Sequence, residues 1–483
     1  MKMTRREFAG LAAAAAASTV VPAKGASPDG RRWYKGQLHT HTSWSDGRAL
    51  PEQAVKAYKD AGFDFFAITD HNRIGTDTDT WISVGELNYS TWPPNLLDTP
   101  VFETFRRDFP DAAWRERDGK TEVRISPMTE IAARFSEPGK FLFMTGCEVT
   151  LAGPASRHLH LNYVGLNSVI PFVNGKSLIH GIGNADISAT IRQVRGEVEA
   201  LAAQNGTPHI FWANHPHWTY YDVLPQHLID NPEVRFFEIC NSGSSAAPED
   251  PLPRDGYDND RFWDAVLATR ATRGEQLLYG IAVEDTHFYP GTGTRYSPVV
   301  FQDAWVAVRA DELTPAALFA AMNRGDFYST CGVEFDDIAF DKLKGRLSVS
   351  VPAKTGVAHT VKFITTKRGT PTEPVQTVEL PARNGHAART VPVYSDAVGA
   401  VAKSVTFAKG EAVKASYTLA EDDLYVRARV ESDEPAVYPN AINKMHPPVK
   451  VGWTQPYRRL AHGPVPAGAE VWYVHEASHS SAS

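Results

Sequence analysis

The sequence predicts an α/β protein in which a barrel-like region precedes a smaller all-β region. From residue 27 to about residue 335, apolar strand-like runs alternate with helical patterns, which is typical of an α/β barrel. From about residue 336 onward, short alternating runs are separated by Pro, Gly, Asn and Asp, which indicates a small antiparallel β-sandwich. Polar clusters that end the apolar runs are the third observation, because functional groups collect at the carboxyl ends of barrel strands.

Three helices in the first region are marked by proline at or near their start. One begins at Pro51 and stops near Gly62, and a second begins near Pro127. A third follows Thr314-Pro315 and ends before Gly325. Proline fits the first turn of a helix because its missing N–H would be unpaired there, and glycine commonly follows the last turn.

The segment 73–139 interrupts this alternation and is predicted to be a lid. It is far longer than an ordinary βα loop of roughly 2–6 residues. It contains the aromatic residues Trp81, Tyr89 and Trp92 and follows His71 directly. We therefore expect an aromatic-lined insertion that shapes a substrate pocket.

The second region, residues 336–476, contains the strand-like runs 346–351, 360–364 and 424–430. Its histidines are scattered, so we expect a structural or substrate-shaping role, with glycan or partner binding as the alternative. Residues 477–483 read as a disordered tail.

Two histidines near the N-terminus form the first candidate metal motif. His39 and His41 follow an apolar residue and precede Asp46 and Gly47. Side chains at i and i+2 of an extended segment lie on the same face, so the two imidazoles can bind one ion together. Taken alone, the pair could equally be a strand end with two solvated imidazoles.

Five further clusters of the same chemical type follow over the next ~250 residues, nearly all at the ends of apolar runs. They are Asp70 with His71; Glu148; His158 with His160; Asn214 with His215 and His217; and Glu284 with Asp285 and His287. Six such clusters are hard to explain as unrelated core positions. We therefore predict that they converge on one metal site.

Taken in order, the motifs His-x-His with Ser-x-x-Asp-Gly, Thr-Asp-His, Gly-x-Glu, His-Leu-Asn, Asn-His-Pro and Asp-x-His resemble the PHP (polymerase and histidinol phosphatase) family of metallohydrolases. The resemblance covers about residues 33 to 335. It is greatest to the branch that includes carbaryl-hydrolase-like enzymes, which share the His-Leu-Asn and Asn-His-Pro elements. The resemblance implies a distorted (β/α)7 TIM-like barrel with one to three divalent metal ions at the C-terminal mouth of its strands.

The resemblance also implies a ligand set. By motif, the metal ligands would be His39, His41, Asp46, His71, Glu148, His160, His215, Asp285 and His287. Asp46 stands where many family members have a histidine. Glu284 stands where a small residue or Asp is common.

The ligand types suggest the chemistry. Mixed imidazole and carboxylate sites suit Zn, Mn or Fe ions. Two such ions ~3.5–4 Å apart can share a water and lower its pKa to about 7, which provides a metal-bound hydroxide at neutral pH. Asp285 is the candidate catalytic residue that moves a proton to the leaving group.

Other residues in the motifs receive supporting roles. Asp70 and Asn214 are candidates for orienting a neighbouring imidazole. Arg157, His158 and His217 are candidates for binding an anionic substrate group, and an ordinary solvated or packed role is the alternative for each.

These observations favour a metal-dependent hydrolase, and within that class a phosphoesterase that acts on a small-molecule phosphomonoester or phosphodiester. Hydrolysis of a carboxylic ester, carbamate or amide is the first alternative, because the same ligands serve both reactions. A non-catalytic periplasmic binding protein on a decayed barrel is the second.

Composition and the N-terminus bear on partners and location. The net charge of −7 and the lack of a Lys/Arg-rich run after the N-terminus argue against a nucleic-acid partner. No apolar run of ~20 residues follows the N-terminus, which argues against a membrane span. Arg5 and Arg6 precede an Ala-rich run, which predicts a twin-arginine signal peptide over residues 1–26, recognised by the twin-arginine export machinery. The expected destination is the bacterial periplasm or exterior, and an amphipathic or disordered tail is the alternative.

Overall fold

The structure is a computed structural model of the 483-residue chain. It describes residues 30–86, 96–152, 158–174, 180–181, 186–218, 220–243, 259–292, 300–382, 386–436 and 448–459. The predicted signal peptide, the predicted tail and Arg157 lie outside the described residues.

The helices near the site begin and end at the residues that the sequence marks. In chain order the described helices are α1 (Pro51–Asp60), α2 (Thr99–Asp108), α3 (Met128–Phe135), α4 (Ile187–Asn205), α5 (Pro225–Ile229), α6 (Asn259–Thr272) and α7 (Pro315–Arg324). Pro51 and Pro315 occupy the first helical position of α1 and α7. Thr314 caps α7 by accepting a hydrogen bond from the Ala317 backbone, and Gly325 ends it with a φ of 78°. The three predicted helices are therefore present.

Strands occur along the whole described part of the chain. Those of the first region are β1 (Arg32–Gln37), β2 (Phe65–Ile68), β3 (Trp81–Gly85), β4 (Leu96–Asp98), β5 (Trp114–Arg117), β6 (Lys120–Arg124), β7 (Leu142–Ala152), β8 (His158–Val164), β9 (His180–Gly181), β10 (Ile210–Ala213), β11 (Phe236–Asn241), β12 (Tyr279–Val283), β13 (Trp305–Ala310) and β14 (Phe327–Thr330). Those of the second region are β15 (Asp337–Asp341), β16 (Arg346–Val351), β17 (His359–Thr365), β18 (Gln376–Leu380), β19 (Arg389–Val393), β20 (Ala400–Phe407), β21 (Val413–Thr418), β22 (Arg427–Pro435) and β23 (Val449–Thr454).

One large mixed sheet organises the molecule. Its strand order is β12-β11-β10-β8-β7-β2-β1-β13-β14-β23-β22-β17-β20, and β9 pairs with β7. Strands β1, β2 and β7 are parallel neighbours, as are β10, β11 and β12. In contrast, β8 runs antiparallel to both β7 and β10. The chain is thus a mixed α/β protein, as predicted, with smaller sheets beside the main one.

The segments that follow β1 and β12 lie side by side. Thr40 and Thr286 form a parallel bridge, and the His41 backbone N–H donates to the Thr286 carbonyl at 2.9 Å. Just before this bridge, the buried Gln37 side chain accepts a hydrogen bond from the Glu284 backbone at 3.4 Å. These contacts bring the first and the last metal motif together.

The core strands are buried on both faces. In β2, Phe65 and Ala67 belong to one apolar cluster, whereas Phe66 and Ile68 belong to another. Successive side chains of a strand point to opposite faces, so each strand supplies both clusters. This explains why the strands read as continuous apolar runs in the sequence.

The predicted insertion has secondary structure of its own. Strands β4-β3-β6-β5 form a small sheet, and α2 packs Val101, Phe102 and Phe105 into the cluster that also contains Tyr58 of α1. Tyr89, Trp92 and the two prolines after Trp92 lie outside the described residues. The lid role of this insertion remains a prediction.

The second region extends the main sheet. Strand β23 pairs with β14, and β22, β17 and β20 follow in order. A separate sheet, β15-β16-β21, shares an apolar cluster with these strands and with Val333 and Phe335. The third element, the β18–β19 hairpin, pairs Arg389 with Asp222 of the first region at 2.8 Å. Among the described residues, no helix is both long and apolar enough to cross a membrane.

Candidate metal centre

The structure brings the predicted ligands to one end of the main sheet. His39 and His41 follow β1 and His71 follows β2, so they lie at the carboxyl ends of parallel strands. His160 instead lies near the start of β8. Because β8 is antiparallel to β7, with His160 opposite Thr150, the start of β8 meets the end of β7. Of the remaining predicted ligands, Asp46 also follows β1 and Glu148 lies within β7. The last three follow β10 and β12: His215, Asp285 and His287.

The central group of donor atoms comes from His39, His41, Glu148 and Asp285. The Nε2 atoms of the two histidines lie 3.2 Å apart, and Asp285 Oδ1 lies 3.3 Å and 3.0 Å from them. Glu148 Oε1 lies 3.5 Å from His39 Nε2. Ligand atoms that bind a tetrahedral ion at about 2.0–2.1 Å are roughly 3.3–3.5 Å from one another. These donors therefore have the spacing that one ion requires.

A second group, the Asp46 group, consists of His41, Asp46, His71 and His287. Asp46 Oδ2 lies 3.0 Å from His287 Nε2 and 3.6 Å from His71 Nε2. The rings of His71 and His287 flank that of His41, with centroids 4.3 Å and 4.2 Å away. Asp46 thus gathers three imidazoles at the position where the resembled family often has a histidine.

A third group, the Glu148 group, consists of Glu148, His160 and His215. Glu148 Oε1 accepts a hydrogen bond from His160 Nδ1 at 2.9 Å and lies 3.5 Å from His215 Nε2. His41 belongs to the first two groups and Glu148 to the first and third. The three groups are therefore joined through shared ligands.

Several donor atoms of the cluster suit bound cations. Asp46 Oδ2, Glu148 Oε2, Asp285 Oδ1 and His160 Nε2 are buried without a well-formed hydrogen bond. The three carboxylate oxygens face imidazole nitrogens 2.7–3.0 Å away, which are themselves potential metal ligands. A buried polar atom without a hydrogen bond costs free energy, and the cost is larger for a carboxylate. Divalent cations at these atoms would remove that cost, so the residues fit one or more such ions.

The carboxylates raise the pKa of most histidines in the cluster. Burial alone would lower the pKa of His39, but Asp285, Glu238 and Glu148 raise it well above its usual value. At His287, burial likewise favours a lower pKa, but the negative charge of Asp46 outweighs this effect and raises the pKa to about 9. At His160 burial outweighs the attraction of Glu148 and lowers the pKa to about 4.

The histidines have the reverse effect on the carboxylates. Burial favours protonation of Asp46 and Asp285, but His287 and His71 hold the pKa of Asp46 well below its usual value. His39, His41 and His287 do the same for Asp285. The cluster thus pairs ionised carboxylates with protonated imidazoles, and metal ions must displace those imidazole protons.

Glu238 supports the cluster and was not predicted from the sequence. Its Oε1 accepts hydrogen bonds from His39 Nδ1 at 2.7 Å and Trp212 Nε1 at 3.0 Å, and its Oε2 accepts from the His215 backbone at 2.7 Å. A carboxylate on the outer nitrogen of a ligand histidine fixes the tautomer and the ring orientation. The signal in the sequence is a single charged residue inside the apolar run 236–240.

Asp70 and Asn214, which were predicted to orient a neighbouring imidazole, form their hydrogen bonds with other groups. Asp70 accepts from the Thr42 backbone at 2.7 Å and from Ser45 Oγ at 2.5 Å, so it shapes the loop between His41 and Asp46. It reaches the imidazole only through Ser45, whose Oγ lies 3.5 Å from His41 Nδ1. Asn214, likewise, donates to Glu148 Oε1 at 2.7 Å and so orients a carboxylate.

The predicted substrate-binding histidines lie in different surroundings. His158 is partly exposed, and its ring lies 6.1 Å from that of the predicted ligand His160. His217 is buried and turns to α6, where its Nδ1 lies 2.5 Å from Asn259 Oδ1. Burial lowers the pKa of His217 to about 3, so His217 is neutral and has the packed role that was the alternative to binding an anion.

Glu284 has a structural role. It accepts hydrogen bonds from the Tyr58 hydroxyl and from the backbone of Asp303 at 2.5 Å and of Ala304 at 3.2 Å. Burial raises its pKa to about 7. The residue that departs from the family pattern therefore joins the end of β12 to α1 and to the segment before β13.

Two distant structural similarities are among those that comparisons with known proteins give. A two-domain protein from Bacteroides vulgatus that contains a predicted PHP-like metal-dependent phosphoesterase is 14% identical, with a TM-score of 0.33, and the match covers 88% of this chain and 95% of that one. A proposed metal-dependent phosphoesterase from Bifidobacterium adolescentis is 12% identical, with a TM-score of 0.26 and coverage of 55% and 90%. No family model and no curated protein matches the sequence. At these scores the similarities carry no argument, so function must be argued from the site.

Proposed function

We propose that the protein is a metal-dependent hydrolase, and that it cleaves phosphoesters of small molecules. The observation that carries the proposal is the joining of three donor groups through His41 and Glu148 within one buried cluster. Shared ligands of this kind suit neighbouring divalent ions. We also propose that seven strands of the main sheet form the distorted (β/α)7 barrel: β1, β2, β7, β8, β10, β11 and β12. The bridge between Thr40 and Thr286, which joins the segments after β1 and β12, supports this.

The residues suggest how the reaction would proceed. Divalent ions in such sites lower the pKa of water and neutralise charge that develops on a substrate oxygen. His287, with a side chain 24% exposed, is the most exposed of the predicted ligands, and the Asp285 side chain beside it is 9% exposed. Asn241 donates to Asp285 Oδ2 at 3.3 Å and holds the carboxylate in place. Asp285 is therefore the residue that we propose to move the proton.

The type of bond cleaved follows less directly from the ligands. Arg48 supports cleavage of a phosphoester, because a guanidinium suits phosphate oxygens. Arg48 is buried two residues after Asp46, and its backbone N–H donates to the His287 carbonyl at 2.8 Å. Cleavage of a carboxylic ester, carbamate or amide, as in the carbaryl-hydrolase-like branch, is the second candidate. Its support is the His-Leu-Asn motif, in which Asn162 lies 3.0 Å from Asn214 Nδ2 beside Glu148.

Metal identity and location are also proposals. The donor set of imidazoles and carboxylates favours Zn, Mn or Fe, with one to three ions per chain. The arginine pair before an Ala-rich run supports export by the twin-arginine machinery to the periplasm or the exterior. Cell fractionation tests the location, and recovery of the protein in the cytoplasm would contradict it.

Metal analysis and substrate panels test the function together. Purified protein should contain divalent metal and hydrolyse a chromogenic phosphomonoester or phosphodiester faster than aryl esters and carbamates. His41→Ala removes a ligand of two groups, so we expect loss of metal and a fall in kcat/KM of at least about 10³-fold.

A buried histidine elsewhere provides the control. His359 lies in β17 and is 4% exposed, so His359→Gln should change stability and leave the metal content intact. Protein without metal, or full activity in His41→Ala, would refute the proposed function. Preference for esters or carbamates would favour the second candidate.

A further inference from the structure

An aromatic side chain borders the Glu148 group. The Trp218 ring centroid lies 4.8 Å from that of His160 and 5.1 Å from that of His215. It also lies 5.1 Å from the ring of His158. Trp218 and His158 are both partly exposed, so they form a surface that begins directly beside metal-binding histidines.

The β18–β19 hairpin of the second region is fixed against this surface. Arg389 Nη2 donates to Asp222 Oδ1 at 2.8 Å, and the two side chains are 2% and 0% exposed. Asp222 Oδ2 accepts from the His158 backbone at 3.0 Å. The Tyr220 hydroxyl donates to the Pro381 carbonyl at 2.6 Å. The hairpin is thus anchored to the same loop and strand that carry Trp218 and His158.

His386 lies three residues before β19, and its ring is near those of His158 and Tyr220. Its ring centroid is 6.1 Å from that of His158 and 5.7 Å from that of Tyr220. Its side chain is partly exposed. A row of flat rings therefore runs from the Glu148 group through Trp218 and His158 to His386, and its last member comes from the second region.

We propose that Trp218, His158 and His386 form a wall that binds a flat aryl or heteroaryl group in the part of the substrate that is not attacked. Flat groups pack favourably on aromatic and imidazole rings, and such contacts discriminate by shape without taking part in the reaction. The inference rests on the proposed function, because the metal cluster must hold the reacting group. It makes His386 a specificity residue contributed by the second region.

Two ligands that differ only in the flat group test the wall. Phenylphosphonate and methylphosphonate present the same anion to the metals, so the ratio of their dissociation constants isolates the contribution of the ring. We expect metal-loaded wild-type protein to bind phenylphosphonate more tightly and His386→Ala to reduce that preference about three- to tenfold. Calorimetric titration measures both constants.

Variants of the same hairpin distinguish loss of the His386 ring from disruption of the hairpin fold. Thr390 is exposed and bonds Glu379 at 2.6 Å, so Thr390→Ala should keep the wild-type preference. His386→Phe retains a flat ring and should keep most of it. If His386→Ala retains the full preference, or wild-type protein shows none, the wall is refuted while the proposed function stands. If wild-type protein binds no metal, the proposed function itself fails.

Discussion

Single residues set the protonation state of the cluster. Asp46, Glu148 and Asp285 each face at least two imidazoles, and their charges raise the pKa values of His39, His71 and His287 against the effect of burial. A protonated imidazole cannot bind a metal ion. The same carboxylates that attract cations thus also hold protons that the cations must displace.

This competition predicts a pH dependence of metal affinity. Because the pKa of His287 is raised to about 9, its proton is bound at neutral pH and must leave when metal enters. The apparent affinity should therefore rise between pH 6 and pH 8 by about tenfold per pH unit for each proton released. Competition with a chromogenic chelator at several pH values measures it, and an affinity independent of pH would contradict this account.

At the scale of elements, strand ends and one tight loop position the ligands. The loop after β1 turns so closely that a Cβ added at Gly47 would lie 2.3 Å from the carbonyl of His41. The Gly47 backbone N–H also donates to the Thr42 carbonyl at 2.9 Å. The loop therefore requires glycine at position 47, so that the neighbouring Asp46 can lie beside His71 and His287.

Replacing Gly47 by alanine should damage the Asp46 group. We expect Gly47→Ala to lower the number of bound metal ions, because the added Cβ would displace the backbone of His41 or Asp46, and both residues belong to that group. Gly196 lies inside α4 with no atom within 4 Å of an added Cβ, so Gly196→Ala is the matched control and should leave metal content unchanged. Equal metal content in both variants would show that the loop tolerates the change.

The sequence predicted those parts of the site that follow strands. His39, His71, His215 and Asp285 could be found because each ends an apolar run, where a local pattern suffices. Glu148 and His160 lie inside β7 and β8 and were found through the Gly-x-Glu and His-Leu-Asn motifs. Glu238 belongs to no such motif, and its role depends on contact with His39, 199 positions away. Such contacts depend on which strands become neighbours, and this is a property of the tertiary fold.

The position of His217 likewise could not be predicted from local spacing. It stands two residues from His215, in the spacing that placed His39 and His41 together, and yet it packs against α6. The segment after β10 turns rather than staying extended, as shown by the hydrogen bond from the Trp218 backbone to the His215 carbonyl at 2.9 Å. Alternation of side chains holds only where the chain is extended.

At the scale of the whole molecule, a buried ion-pair network joins the two regions. Arg427 of β22 is fully buried and donates to Asp264 at 2.6 Å and 2.9 Å and to Asp260 at 2.8 Å. Both aspartates belong to α6, and the Tyr425 hydroxyl also donates to Asp264 at 2.8 Å. With the pairing of β23 and β14, this network makes the second region part of one continuous structure.

Breaking the network should destabilise the whole chain. Arg427→Met leaves Asp264 without its guanidinium partner, whereas Asp260 keeps Arg429 at 2.7 Å. Loss of one member of a buried pair typically costs about 3–5 kcal/mol. We expect a fall of that size in the free energy of unfolding, measured by urea denaturation of metal-loaded protein. Arg106 pairs with Glu103 on the surface at 2.7 Å, so Arg106→Met should cost less than about 1 kcal/mol. A similarly small loss in Arg427→Met would mean that the two regions are held together by the strand pairing and apolar packing alone.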